Sequence, residues 1–362
     1  REPRPRPMMP RSTHEVGTAR RALRVQPVRK LILRNPWSPG DVVMLTAAVR
    51  DLHRLNPGAF VTDVRTACPD LFQHNPHLTP ICDGDADADV IDCEYPLIHE
   101  CNTQPKHCLN GFTEFLAARL KVPCRLTACR GDIHLSPLEK SLPSRIHRMT
   151  GHDLPFWIVV AGGKFDYTIK WWDPARYQAV VDHFQGRLLF VQVGDRIHHH
   201  HPKLDGVLDL RGRTTLRQLV RLVHHAEGVV CPVTSLMHLA AAVETRPGRL
   251  PLRPCVVVAG GREPPHWEAY PGHQFIHTVG MLPCCAQSGC WRARTVARGD
   301  GDERDAPERL CLDVSGSLPR CMDLIPADEV IRRIELYLAS GAARTLTSQE
   351  RRMAARSLRS QG

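Results

Sequence analysis

The sequence predicts an α/β protein of two doubly wound, Rossmann-like domains facing a cleft, and three observations predict it. Short apolar runs alternate with segments of helical period along most of the chain, the pattern of parallel sheets covered by helices. Residues 137–154 lack a strong period, carry two prolines and separate two such series, so they read as a linker. At 362 residues the chain is long enough for two domains that each bury a core.

In the first series, residues 30–34 (KLILR) read as a strand and 35–40 (NPWSPG) as a loop. Residues 41–55 then form a helix with Val42, Leu45, Val49 and Leu52 on one face. The loop falls at the carboxyl edge of the sheet, where open α/β sheets bind ligands, and Asp41 opens the helix there. Residues 59–64 and 89–93 are expected as further strands, 112–120 as a helix, and 132–135 as the strand that closes this half. The loop 95–111 holds His99, Cys101, His107 and Cys108. Their spacing fits no standard metal pattern, and a loop leading into the next helix is the plainer account.

The second series restarts at 156–161 (FWIVVA), which runs into Gly162, Gly163 and Lys164. A helix over 174–184, strands over 188–193 and 207–210 and a helix over 215–225 follow. Residues 228–243 (GVVCPVTSLMHLAAAV) then combine a buried strand, a turn at Pro232 and a helix start capped by Thr234 or Ser235. Free N–H groups at such a start attract phosphate. A strand over 253–259 leads into the loop 260–272, whose Glu263, His266, Trp267 and Tyr270 suit a pocket wall. The four histidines 198–201 read as a solvated loop. The helix 327–338 is expected to end the ordered chain and to cross back to the first domain.

The net charge of +10 is misleading as a nucleic-acid signal. It resides in residues 1–29, with eight Arg against two Glu, and in 344–362, with five Arg against one Glu, so the body between is neutral. Residues 1–27 and 341–362 are read as basic tails, and no specific nucleic-acid partner is expected. No apolar run approaches the roughly 20 residues of a bilayer span, and no apolar leader opens the chain, so a cytoplasmic protein is expected.

Five of the fourteen cysteines crowd between Cys284 and Cys321, around a highly charged stretch, 298–309, that cannot supply a core. Such a segment needs a cross-link or a metal. Four thiolates, Cys285 (or Cys284), Cys290, Cys311 and Cys321, suit a tetrahedral zinc or iron centre, with free thiols or a disulfide as the alternatives.

Three motifs in order, Gly40-Asp41-Val42-Val43, Lys170-Trp171 and Thr234-Ser235-Leu236-Met237-His238-Leu239-Ala240-Ala241, resemble glycosyltransferase family 9, the ADP-heptose heptosyltransferases, over residues 28–340. The cysteine cluster is similar to the iron-binding finger of the autotransporter heptosyltransferases in that family. The resemblance implies a GT-B-like architecture with an acceptor-side domain (28–150) and a donor-side domain (151–340, with a finger at 283–322). It implies transfer of a sugar from a nucleotide sugar such as ADP-heptose to a protein or glycan hydroxyl, with inversion as part of that expectation. Asp41 falls where the family keeps its catalytic base, and Lys170 where a lysine faces the donor diphosphate. Gly40, Lys164, Thr234, Ser235, Met237, His238 and Glu263 are the expected donor-binding residues. Val233 stands where the family has an aspartate, and Ser235 where it has a glycine. A non-catalytic sugar-nucleotide or protein-binding module on the same scaffold is the alternative, and association with further copies of the chain stays open.

Overall fold

A computed structural model describes residues 27–200 and 202–359. The expected tail at 1–27 therefore lies almost wholly outside the described residues. The first sheet is parallel, in the order β2 (Phe60–Thr66), β1 (Arg29–Asn35), β3 (Ala88–Asp92). In the central strand β1, Leu31 and Leu33 are wholly buried on one face. They pack under α1 (Pro39–Leu55), with α2 (Asn110–Leu120) beside it. The expected strand at 132–135 shrinks to a single bridge, Ile133 to Val243, so it joins the two halves instead of closing the first.

The linker is not structureless. It folds into α3 (Pro137–Ser141), capped by a Ser136–Glu139 capping box, and α4 (Arg145–Thr150), capped by Ser144. The second sheet has six parallel strands in the order β6 (Leu208–Asp209), β5 (Phe190–Gln192), β4 (Trp157–Val159), β7 (Gly228–Pro232), β8 (Cys255–Gly260), β9 (His273–His277). The reversal between β4 and β7 is the switch point of a doubly wound fold. Around the sheet run α5 (Pro174–His183), α6 (Leu216–His225), α7 (Ser235–Ala242), α8 (Pro265–Glu268), and, past a small hairpin of β10 (Val314–Ser315) and β11 (Leu318–Pro319), α9 (Arg320–Asp323) and α10 (Ala327–Ala339). The strand β9 was missed because His273, Gln274 and His277 give it no apolar run.

Two expectations are corrected at the C-terminal end. The helix α10 packs on α5 and β8 of its own half, and the chain continues into α11 (Ser348–Arg359), which contacts α4. Leu346 and Ala354 are buried in the main core, so residues 348–359 of the expected basic tail form a docked helix. Its arginines hid a period carried by Met353, Ala354 and Leu358. The histidine run is corrected too: His200 is buried and His199 stacks on Trp171 at 4.2 Å between ring centres. His201 lies outside the described residues.

The halves meet where α1 packs against α7. Close approach there depends on Gly131, at which a Cβ would come within 2.6 Å of Val43 and 3.0 Å of Ala242. Among the described residues no helix is long and apolar enough to cross a membrane.

Candidate active site

The contact of α1 with α7 brings the first and third motifs to one place. Ser38 precedes α1 in extended backbone and Asp41 lies in its first turn, half-buried. Gly40 sits flush against the ring of His238, where a Cβ would be 3.1 Å from Cδ2. On the other side Lys164 reaches Ser38 Oγ at 2.7 Å. Burial, the largest influence, pushes the Asp41 carboxyl above its ordinary value, against the pull of Lys170 and Lys164. A carboxylate raised in this way, with two ammonium groups within electrostatic reach, has the character of a proton acceptor.

The start of α7 is built as the sequence indicated. Thr234 is extended, and its Oγ1 accepts the Leu236 N–H at 3.3 Å. Ser235 is the first helical residue, its Cα 3.7 Å from the Cβ position of Gly40. Met237 is wholly buried and faces the core rather than a pocket. Val233 is buried among apolar neighbours, which an ionised aspartate would not suit.

Lys170 ends a short turn before α5, and its Nζ lies 2.7 Å from Glu263 Oε1. Glu263 is buried and also pairs with Arg262. Burial opposes its ionisation, but Arg262 and Lys170 outweigh that and hold its carboxyl below the ordinary value. The Tyr167 ring lies under both cations, 5.5 Å from Lys170 Nζ and 4.8 Å from the Arg262 guanidinium. A fixed carboxylate therefore aims two cations, of which only Lys170 was expected from the sequence. Arg262 was missed because a lone Arg after a glycine pair carries no pattern.

Behind His238 is a second group of side chains. Its Nδ1 meets Tyr270 Oη at 2.7 Å, and its Nε2 is 3.6 Å from Glu268 Oε2. Donor atoms of Cys108, His238 and Glu268 all lie within 4.8 Å of one another, and all three residues are buried. Burial and the nearby charges of His107, Lys170 and His273 lower His238 to about 3, so its ring is neutral. Cys108 comes from the loop 95–111, and its N–H donates to Trp267 O at 2.9 Å. His99 and Cys101 are not part of this group.

All fourteen cysteines are free thiols. Cys285 and Cys321 face each other across Gly261, where a Cβ would meet Cys285 Sγ at 2.9 Å and Cys321 Cβ at 3.3 Å. Cys290 N–H donates to Gly261 O, and Cys311 N–H donates to Arg294 O. Burial first, then the neighbouring thiols, push Cys284 up to about 11 and Cys321 up to about 12. Gly261 thus brings the thiols near one another, though among the described residues no three of them bring their Sγ atoms within 4.8 Å of one another.

The doubly wound sheets meeting at a shared edge form a GT-B-like architecture. Residues 139–247 match the model of glycosyltransferase family 9 (heptosyltransferase). No match is found among curated proteins. The fold is similar to that of a family 9 glycosyl transferase from Veillonella parvula DSM 2008, with TM-score 0.60 and 11% identity over 86% of this chain and 98% of that one. It is similar to E. coli ADP-heptose lps heptosyltransferase II, with TM-score 0.51 and 15% identity over 87% and 100%. It is also similar to the dodecameric, iron-containing heptosyltransferase TibC in complex with ADP-D-beta-D-heptose, with TM-score 0.57 and 17% identity over 86% and 77%. TibC has also been solved from enterotoxigenic E. coli H10407.

Proposed function

We propose that the protein is an inverting glycosyltransferase that moves heptose from ADP-heptose to a hydroxyl of a protein or glycan acceptor. Residues 28–150 form its acceptor side and 151–340 its donor side. The observation that carries the reading is the packing of Gly40 on His238, which brings Asp41 together with the start of α7 while Lys170 acts on the Asp41 carboxyl. In the reaction the acceptor oxygen bonds to the anomeric carbon as the bond from that carbon to the diphosphate oxygen breaks. Asp41 takes the acceptor proton. Lys170, aided by Arg262 and the α7 start at Thr234 and Ser235, offsets the charge left on the diphosphate. Lys164 holds Ser38 and so the entry to the Asp41 turn. Glu263 aims Lys170, and His238 sets the wall against Gly40.

Cys285 (or Cys284), Cys290, Cys311 and Cys321 are assigned to one structural iron or zinc ion, which supplies a four-thiolate cross-link when bound. Fourteen free thiols support a reducing, cytoplasmic setting. The competing reading, a non-catalytic binding module, draws on Val233 in place of an acidic residue. Asp41→Asn separates the two. Donor affinity is expected to hold while turnover with ADP-heptose falls by a factor on the order of 100 or more. An unchanged rate removes Asp41 as base, and no turnover by the parent with any acceptor leaves the binding module.

A further inference from the structure

We propose that Cys108, His238 and Glu268 form a second metal site, distinct from the cysteine finger, for one divalent ion of the zinc or iron class. The residues come from three separate parts of the chain, the loop before α2, the helix α7 and the helix α8. Their donor atoms nevertheless converge within 4.8 Å in a place closed to solvent. A thiolate, an imidazole and a carboxylate are the donors such ions take.

Two distances support this. His238 Nε2 and Glu268 Oε2 are 3.6 Å apart, too far for a good hydrogen bond. It is close to the roughly 3.4 Å that separates two donors each about 2.1 Å from a tetrahedral ion. The second is the 2.7 Å contact of Tyr270 Oη with His238 Nδ1, which leaves Nε2 turned toward Glu268. A partner on the outer ring nitrogen is the usual way a ligating histidine is held.

Glu268 Oε2 is buried with no hydrogen-bond partner, a costly arrangement that a bound cation would end. The other charged groups nearby do not: Lys170 favours the ionised carboxylate, but Glu263 and Asp41 oppose it. A thiolate from Cys108 and a carboxylate from Glu268 would bring two negative charges to a divalent ion. The site is then neutral, because the two ligand charges match the ion. The ion would pin the loop 95–111 of the first half onto α7 and α8 of the second.

Zinc serves as the probe. The full chain, with its finger intact, is loaded with zinc, freed of excess and compared with Cys108→Ser and Glu268→Gln by elemental analysis. Each variant is expected to hold about one equivalent less per chain than the parent, whatever the finger holds, because no finger thiol has changed. Equal zinc in parent and folded variants overturns the proposal. Should both variants fail to fold, X-ray absorption at the zinc edge of the parent decides. Nitrogen or oxygen ligands beside sulfur support the site, and a shell of sulfur alone overturns it. Tyr270→Phe is expected to weaken retention on the order of 10-fold or more. None of these readings requires glycosyl transfer, so they stand or fall apart from the proposed function.

Discussion

The six-stranded sheet and the cysteine segment 283–322 adjoin each other and are held by opposite means. In β8 the run Cys255, Val256, Val257, Val258 is wholly buried, and Phe190 in β5 is 1% exposed. Order there comes from apolar surface removed from water. In the segment, the largest fully buried side chain is Arg294. Its guanidinium donates to Asp300 and Asp305 and approaches Asp302 at 3.7 Å. The stretch 298–309 thus wraps around an arginine as a core wraps around a leucine. Such a centre is directional and salt-sensitive, and it loses everything when one partner is removed.

The comparison can be broken most forcefully in the sheet. Phe190→Ala is expected to cost about 3–5 kcal/mol, seen as a lower denaturant midpoint for the whole chain. A change confined to the segment would show that the sheet does not carry global stability.

The next largest effect is expected from metal removal. Purified protein should hold about one equivalent of iron or zinc in the finger. Chelation, like Cys311→Ser, should direct proteolysis to residues near Cys284, Cys290 and Cys311, whereas the exposed Cys82→Ser should leave the digest unchanged. An unaltered digest after verified metal loss would mean that the Arg294 cluster suffices.

Arg294→Gln tests that cluster directly. It keeps much of the shape but strands three carboxylates, so cleavage within 298–309 should rise while the midpoint of the sheet stays put. A parallel fall in the global midpoint would erase the contrast between the two regions.

The smallest effect is a pH response. The N–H of Arg298 above all, with Arg294 and the N–H of Gly299, holds the Asp305 carboxyl down at about 2. A carboxyl lowered on folding contributes stability that is fully present above its unfolded value near pH 4 and lost as pH falls toward 2. Hydrogen exchange in 298–309 should therefore accelerate between about pH 4 and 2, and Asp305→Asn should abolish that step. A step of equal size in the variant would assign it to other carboxyls.

Much of the scaffold was legible because its signals are local. The apolar runs at 30–34 and 228–231, the helical period of 41–55 and the Thr234 cap reappear as β1, β7, α1 and the α7 start. Asp41, Lys170, Thr234 and His238 were legible as motif residues. Elements with polar sequences were not. The strand β9 forms because β8 offers an edge to pair with, and α11 forms because α4 offers a surface, and neither partner is visible in the segment itself.

By itself, then, the sequence determined the alternation of strand and helix, the break near 137–154, the position of Asp41 at a helix head and the crowding of thiols near the C-terminal end. Only the tertiary structure decided that Gly40 would rest on His238, that Glu263 would hold both Lys170 and Arg262, and that Cys108 would leave its neighbours His99 and Cys101 to meet His238 and Glu268. The physical reason lies in range. Backbone preference and hydrophobic period act over a few residues and are written in adjacent letters. The pairing of buried charges depends on which surfaces are desolvated together, and that is settled when α1 closes on α7.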